Sequence, residues 1–452
     1  MNLTFCHFWR LYYENRHILP DSIDGLITRF YHFSAGIPYI GERPPGKVFG
    51  DVEIVPFKYH SCAAFCVSTT LELSWGWRYG KTRGDWKAFP PLARRNVPIL
   101  SEISEKYDIP ISWAVIGHLF LDKCEKDEKG FAHCSMPRPN GFYETHQFWD
   151  WKNGDWYQHD PCSSFEKDPL WYAPDLIREI ADNPVKHEIG THSFSHIDFS
   201  HPSCTPELAR RELEKCTKVM ETYSLTPRSM VFPGGLIGYL DILSASGIIA
   251  YQGGLNKCTY PERKEGGLWN INGSLFLGRG RGYDYLKRAK AIIDKAIDNN
   301  LAFNFVLSDP MFYPSEHADT IRQNFENVLL YARDCRSKGK LWIATLSEIA
   351  GYCEARESAE IVSERKENEI KIRLRSSLNH QRFGNPEISL KIQIPNKSLV
   401  KRIEYGDKEV VLGSTKCFSL TDENALILTV PVSTKNVRIQ MKGQKADHED
   451  LI

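Results

Sequence analysis

Two histidines four residues apart stand in the stretch HEIGTHSFSH, residues 187–196. His192 and His196 could direct both imidazoles at one ion, either from a helical turn or from a loop that follows a strand. The spacing alone also fits surface or capping residues. The apolar residues before His192 favour a metal site, because catalytic ligands cluster where parallel strands end.

A carboxylate that could complete such a site lies in the stretch STTLELSWGW, residues 68–77. Strand alternation predicts Thr70, Glu72 and Ser74 on one face, with Glu72 near the end of the strand. An unpaired carboxylate among apolar residues is costly, so Glu72 needs a cation or another partner. Two imidazoles and one carboxylate leave positions for water and substrate, as zinc uses. An ion pair between Glu72 and Arg78 is the alternative.

The elements that must position these residues alternate along the chain from about residue 60 to 350. Short apolar runs alternate with amphipathic stretches, which predicts βα units around a parallel sheet. Thr205 and Pro206 are predicted to begin a helix that extends to about residue 223. Two further helices are predicted near 286–297 and 321–332. The predicted strands are 63–73, 111–117, 187–192, 229–232, 247–252, 302–307 and 341–345.

Two segments depart from this alternation. Residues 119–172 are rich in cysteine, histidine, proline and tryptophan, and we expect this insertion to form a lid or a substrate wall. The charged stretch 355–368 predicts a boundary, after which apolar and polar residues alternate with a period of two, as in a small antiparallel sandwich. The predicted organisation is an N-terminal extension (1–60), an α/β barrel (61–355), a C-terminal β-sandwich-like domain (365–443) and a disordered tail (444–452).

Composition narrows the classes of partner. The 452 residues include 57 Lys plus Arg and 57 Asp plus Glu, so no net charge favours nucleic acid or an anionic membrane. The N-terminal residues do not resemble a signal peptide and there is no apolar run long enough to cross a membrane, so we expect a cytoplasmic protein without membrane insertion. The 12 cysteines are expected to be reduced thiols. Oligomeric state is not indicated.

Over residues 62–350 the chain resembles the polysaccharide deacetylases, the NodB-homology domain of carbohydrate esterase family 4. The resemblance lies in TTLELSWGWRYG, ISWAVIGHLF, HEIGTHSFSH, PRSMVFPGG and LWIATLSEIAGY. It implies a distorted (β/α) barrel that holds a divalent metal through an acid and two histidines. Zinc is the expected ion. It further implies hydrolytic removal of N-acetyl or O-acetyl groups from sugars.

Carried onto this sequence, the resemblance makes Glu72, His192 and His196 the metal ligands. Thr70 stands where the family has an aspartate base, and Asp309, or Ser308 in a shifted alignment, stands where it has a histidine acid. Another register makes Glu72 the base, but it places Leu73 at a ligand position and is chemically worse. The residues predicted to contact substrate are Trp75, Trp77, Arg78, Trp156, Pro233, Gly234 and Gly235.

The departures at positions 70 and 309 leave several functions open. We expect a metal-dependent deacetylase-like hydrolase acting on an acetylated sugar or glycan precursor, with Asp155 or Asp160 as substitute acids. Each lost acid or base costs about two to four decades in rate. The alternatives are a sugar-binding pseudoenzyme that retains its metal, a deacylase of a non-carbohydrate amide, and a structural partner-binding module.

Overall fold

The computed structural model describes most of the chain between residues 38 and 442. The described ranges are 38–80, 85–139, 151, 153–200, 204–277, 285–307, 318–394, 400–406, 408–410, 418–420 and 424–442. Asp309, Ser308, the predicted tail 444–452 and most of the predicted N-terminal extension lie outside them.

A ten-stranded, mostly parallel sheet forms the centre of the described α/β region and curls into a half-barrel. The strand Ala63–Leu71 pairs in parallel with both Ile111–Val115 and Ala302–Leu307, and its first residues also pair with Leu341–Ile343. The nine strands of the main path, in order across the sheet, are Glu262–Lys264, Leu268–Asn270, Ala250–Gln252, Ser229–Val231, Glu188–Thr191, Ile111–Val115, Ala63–Leu71, Ala302–Leu307 and Leu275–Leu277. The predicted mixed α/β class with a parallel sheet is therefore confirmed.

Helices cover this sheet, and their apolar stripes explain where they form. The helix Pro206–Glu221 begins as predicted, because the Thr205 hydroxyl accepts a hydrogen bond from Leu208 N–H and Pro206 suits the first turn. Its buried side chains include Leu213, Cys216 and Met220. The α-helices of the described chain are Ser74–Trp77, Pro90–Tyr107, Pro174–Ala181, Pro206–Glu221, Leu240–Ala245, Tyr285–Asn299, Ala318–Ser337, Leu346–Ser358 and His380–Phe383.

Short turns and one small sheet complete the α/β region. Five 3-10 turns are described, at Lys58–His60, Trp86–Ala88, Gly117–Phe120, Pro233–Gly235 and Glu265–Gly267. Tyr39–Ile40 pairs with Lys257–Cys258. Among the helices described here, none combines the length and the apolar character that crossing a bilayer requires.

Two five-stranded sheets form the β-rich region that follows. One contains the strands Ala359–Lys366, Glu369–Ser376, Asn436–Met441, Val400–Tyr405 and Lys408–Val410. The other contains Glu387–Gln393, Ala425–Pro431 and Phe418–Leu420, together with Lys47–Phe49 and Val52–Ile54 from the N-terminal side of the chain. The two N-terminal strands therefore share a sheet with C-terminal strands.

The charged stretch at 355–368 spans the end of a helix and the first strand of the β-rich region. The helix Leu346–Ser358 passes directly into the strand Ala359–Lys366, which pairs with Glu369–Ser376 along its whole length. Burial alternates at the start of that strand, where Ala359 and Ile361 are buried and Glu360 and Val362 are exposed. In this strand Glu360, Glu364, Arg365 and Lys366 are exposed, whereas Arg356 in the preceding helix is buried.

Gly190 allows the strand that carries His192 to approach its neighbour. A Cβ atom at this position would lie 2.6 Å from the Ser229 backbone oxygen and 2.5 Å from its Oγ. We predict that Gly190→Ala lowers the free energy of unfolding by about 1–3 kcal/mol, because backbone must move to admit the methyl group. Urea unfolding measures this loss.

The matched control is Gly351→Ala, inside the helix Leu346–Ser358, where the nearest atom to a new Cβ would be 3.9 Å away. This change should leave stability unchanged or raise it, because alanine is the better helix former. Equal unfolding midpoints for the two variants would contradict the tight strand contact at Gly190.

Candidate metal centre

Glu72 stands at an abrupt turn of the chain. The strand Ala63–Leu71 ends one residue before it, and the helix Ser74–Trp77 begins two residues after it. Leu73 between them has φ of 47°, a conformation that branched and bulky residues rarely adopt. The strand alternation predicted from Thr70 to Trp75 is therefore wrong beyond Leu71. The turn leaves the Glu72 side chain 17 % exposed.

The loop after the strand Glu188–Thr191 brings both histidines to this carboxylate. His192 Nε2 lies 3.3 Å from Glu72 Oε1, and His196 Nε2 lies 3.7 Å from Glu72 Oε2. Ser193 and His196 both have positive φ, 64° and 61°, which bends the loop back on itself. The structure thus brings together the three residues predicted as ligands, which we call the metal triad.

The tautomer of His192 makes the triad suitable for a cation. Its Nδ1 lies 2.6 Å from the Val231 backbone oxygen, and a carbonyl only accepts, so Nδ1 carries the hydrogen. The neutral ring then presents a bare Nε2 that is buried and has no hydrogen-bond partner. Its contact with Glu72 joins two acceptors, an arrangement that a cation between them would stabilise.

The charge states of the other two ligands agree with this arrangement. Burial raises the pKa of Glu72, and contact with protonated histidines would outweigh burial and lower that pKa to about 2, so this carboxylate takes its ionised form beside a cation. Burial lowers the pKa of His196 to about 3. An ionised carboxylate and neutral imidazoles are the forms in which these groups bind metals.

Residues around the triad fix its geometry. Thr70, the residue at the family's base position, hydrogen-bonds to the Glu72 side chain. Glu212, fully buried on the helix Pro206–Glu221, accepts hydrogen bonds from Ser195 N–H at 2.8 Å and Ser195 Oγ at 2.7 Å. Glu212 thus holds the loop between the two histidines, and burial raises its pKa. Sequence reasoning missed Glu212, although a glutamate on the predicted buried face of an amphipathic helix was a usable signal.

The aromatic residues predicted to stack on sugars are buried instead. Trp75 and Trp156 are each 1 % exposed and Trp77 is 9 % exposed, which leaves their rings almost no surface for a ligand. Trp75 and Trp156 contact the guanidinium of Arg78, whose carbon lies 4.5 and 4.6 Å from their ring centres. These side chains therefore pack beneath the site in this structure.

Arg78 is part of that packing and does not form the alternative ion pair. Its guanidinium donates to the backbone oxygens of Trp75 and Ser195, the latter at 2.9 Å. Burial lowers the pKa of Arg78 to about 10. Arg78 thus braces the loop between His192 and His196, while the Glu72 carboxylate contacts the two histidines.

The turn Pro233–Gly235 follows the strand that supplies the Val231 oxygen. Pro233 is buried, while Gly234 and Gly235 are exposed and have φ of 61° and 70°, which suits glycine. Gly235 N–H donates to Phe232 O at 2.9 Å, so it is already engaged within the turn. Gly234 and Gly235 stay predicted substrate contacts by position.

The substitute acids are differently placed from the prediction. Asp155 accepts from Arg138 Nε at 2.7 Å and from Tyr157 N–H, so both its oxygens are engaged. Asp160 contacts two other histidines, His118 and His133. Asp309 lies outside the described residues, and its predicted role stays a prediction.

Gly76 lies against the triad and provides a test of its geometry. A Cβ at position 76 would lie 1.9 Å from Glu72 Oε2 and 2.7 Å from Glu72 Cβ. We predict that Gly76→Ala displaces the carboxylate and lowers zinc affinity at the triad by about 10- to 100-fold, as changes around metal ligands typically do. Isothermal titration with Zn²⁺ measures this change.

The control for Gly76→Ala is again Gly351→Ala, which should bind Zn²⁺ as the parent does. Both variants should keep the parent's far-ultraviolet circular dichroism, since a local shift of Glu72 leaves the sheet intact. Unchanged zinc affinity in Gly76→Ala would show that Glu72 is not a ligand in this geometry.

Part of this chain is similar to a known protein family. A family model described as polysaccharide deacetylase matches residues 88–244. No curated protein sequence matches the chain significantly. The matched range contains both histidines of the triad, whereas Glu72 precedes it.

Several solved structures are distantly similar. A probable polysaccharide deacetylase from Pseudomonas aeruginosa PAO1 is 13% identical, with 68% of this chain and 93% of that chain covered and a TM-score of 0.43. The peptidoglycan deacetylase PdaC from Bacillus subtilis is 12% identical, with 67% and 96% covered and a TM-score of 0.32. An allantoinase, Puue, is 13% identical, with 68% and 93% covered and a TM-score of 0.43. The match of the polysaccharide deacetylase family model to residues 88–244 agrees with the resemblance drawn from the motifs.

Proposed function

We propose that this protein is a metal-dependent deacetylase-like hydrolase that removes an acetyl group from an N-acetylated or O-acetylated sugar or glycan precursor. The observation that carries the proposal is the buried Nε2 of His192, which lies 3.3 Å from Glu72 Oε1, while Nδ1 of the same ring lies 2.6 Å from the Val231 oxygen. The deacetylase domain at residues 88–244 supports the reaction class and a carbohydrate substrate.

Zinc fits the donor set best. Two imidazole nitrogens and one carboxylate form a three-ligand site that leaves a further position open, as in catalytic zinc enzymes. Glu72 is partly exposed beside two buried histidines, so water and substrate would reach a bound cation from the Glu72 side. A divalent cation bound there would lower the pKa of water and polarise an acyl carbonyl.

The side chains of this chain divide the remaining tasks. The Val231 carbonyl fixes the His192 ring, and Glu212 with Arg78 holds the loop that carries His196. Thr70 cannot accept a proton at neutral pH, and its hydroxyl is engaged with Glu72. The proposed enzyme therefore works without a base at position 70, and we expect a slow turnover.

The same hydrogen bond favours the second candidate, a sugar-binding pseudoenzyme that retains its metal. With Thr70 stabilising the ligand Glu72, the position of the family's base serves the metal triad and not proton transfer. This candidate binds glycan without releasing acetate, so acetate release separates the two functions.

The first test measures acetate released from N-acetylated amino sugars and their short oligomers by zinc-loaded protein. We expect slow release that His192→Ala lowers by more than about 100-fold, because losing a ligand exceeds the usual effect of changes around ligands. Chelation should abolish release, and Zn²⁺ should restore it.

The control is His380→Ala, an exposed histidine of the β-rich region that should leave the rate unchanged. Sugar binding by zinc-loaded protein without any acetate release would favour the pseudoenzyme. Equal rates for His192→Ala and the parent would contradict a role for the triad.

A second test restores the base. Thr70→Asp should raise acetate release by about 100-fold or more, because a positioned general base contributes about 10²- to 10⁴-fold. Thr70→Asn has the same shape without basicity and should not raise the rate. Rates measured at saturating Zn²⁺ separate a gain in catalysis from a change in metal affinity. Equal rates for Thr70→Asp and Thr70→Asn would show that position 70 is not the site of the missing base.

A further inference from the structure

A second cluster of possible ligands lies at the base of the insertion, apart from the metal triad. His118, Cys124, His133 and Asp160 each direct one donor atom at a common point, and these atoms all lie within 4.8 Å of one another. We call them the His-Cys-Asp cluster. His118 and Asp160 side chains are fully buried, and His133 is 8 % exposed.

The donors are already gathered to within about half an ångström of the ligand spacing around a zinc ion. The two Nε2 atoms of His118 and His133 are 3.1 Å apart. Asp160 Oδ2 lies 3.1 Å from His118 Nε2, 2.8 Å from His133 Nε2 and 3.4 Å from Cys124 Sγ. Tetrahedral zinc with ordinary bond lengths requires separations of roughly 3.3–3.6 Å between ligand atoms.

Hydrogen bonding alone does not account for these contacts. His118 Nδ1 lies 3.1 Å from the Trp171 backbone oxygen and therefore carries the hydrogen of the neutral ring. The bare Nε2 of His118 then faces both the Asp160 carboxylate and His133 Nε2. His133 has one hydrogen at Nε2 at most, so with a neutral His118 ring at least one close pair of acceptors remains in this buried site.

Surrounding groups hold the other donors toward the same point. Asp160 Oδ1 accepts from Cys162 N–H at 3.0 Å and from the Tyr172 hydroxyl at 3.2 Å, which leaves Oδ2 for the cluster. Together with the bond from His118 to Trp171, this is the outer support that metal ligands typically have. The support comes from the insertion itself.

We propose that His118, Cys124, His133 and Asp160 bind a second divalent cation, zinc, in a structural site. A thiolate and two imidazoles favour zinc over magnesium or calcium, and four protein ligands close the coordination shell. Burial distinguishes this site from the triad, where Glu72 keeps an exposed face.

The second ion connects the insertion to the loop of the metal triad. The backbone N–H of His118 donates to the Phe194 backbone oxygen at 3.0 Å, and the backbone N–H of Gly117 donates to the Ser193 backbone oxygen at 2.8 Å. Trp156, from the insertion, donates its indole N–H to Ser195 Oγ at 3.0 Å. Zinc at the cluster thus stabilises the insertion against the strand ends and the loop between His192 and His196.

The test uses the full chain, purified under reducing conditions and loaded with Zn²⁺ or Co²⁺ alone. We expect two equivalents of zinc per chain, falling to one in His192→Ala and also to one in His133→Ala. Cobalt adds a readout that only the cluster can give, because the triad contains no thiolate. A sulfur-to-cobalt charge-transfer band should survive in His192→Ala and vanish in Cys124→Ser.

Cys134→Ser is the matched control, because this exposed cysteine is next to His133 but outside the cluster, and it should keep both the band and the zinc. If Cys124→Ser or His133→Ala does not fold, the cobalt spectrum of His192→Ala alone tests the second site. A cobalt-loaded His192→Ala chain without the thiolate band, or with no bound metal, overturns the second site. Loss of acetate release alone does not, because the second site does not rest on the proposed activity.

Discussion

The hydrogen bond from His192 Nδ1 to Val231 O is the constraint on which the candidate site depends. It joins the end of one strand to the end of its neighbour and fixes which nitrogen of His192 is bare. That nitrogen is buried beside a carboxylate, so the arrangement is stable only with a positive charge between the two. Sheet register, which aligns Thr191 with Met230, therefore sets the chemistry of the ligand.

The backbone conformations around the triad also indicate a site in which the directions of the ligands are fixed. Leu73, Ser193 and His196 all have positive φ, and none is glycine. Such residues cost about 1–3 kcal/mol each and persist where the surrounding structure requires them. Here the bracing comes from Glu212 and Arg78, both buried charged residues that bind backbone of the loop. Unfavourable backbone conformations and buried charged side chains are thus concentrated next to the three residues of the metal triad.

Periodicity in the sequence predicted most of the sheet, because apolar runs and capped helices are local patterns. The strand 302–307 and the start of the helix at Pro206 agree with the structure. The triad could be predicted because its residues come directly after strands. The burial of Trp75 and Trp156 could not, since it depends on Arg78 and the insertion, which are distant in sequence. The N-terminal strand Val52–Ile54 was missed because its partner, Glu387–Gln393, lies far along the chain.

The cysteine pattern gave no indication of the proposed second site, for a related reason. Zinc sites are usually recognised by closely spaced cysteines, whereas Cys124 is alone and its proposed co-ligands span residues 118 to 160. Only the fold brings them together, with backbone bonds tying Gly117 and His118 to the triad loop. Within the described part of the insertion, Trp156 also binds this loop through Ser195 Oγ. A bond to the loop between two ligands favours a wall beside the triad at Trp156 over a lid that moves away.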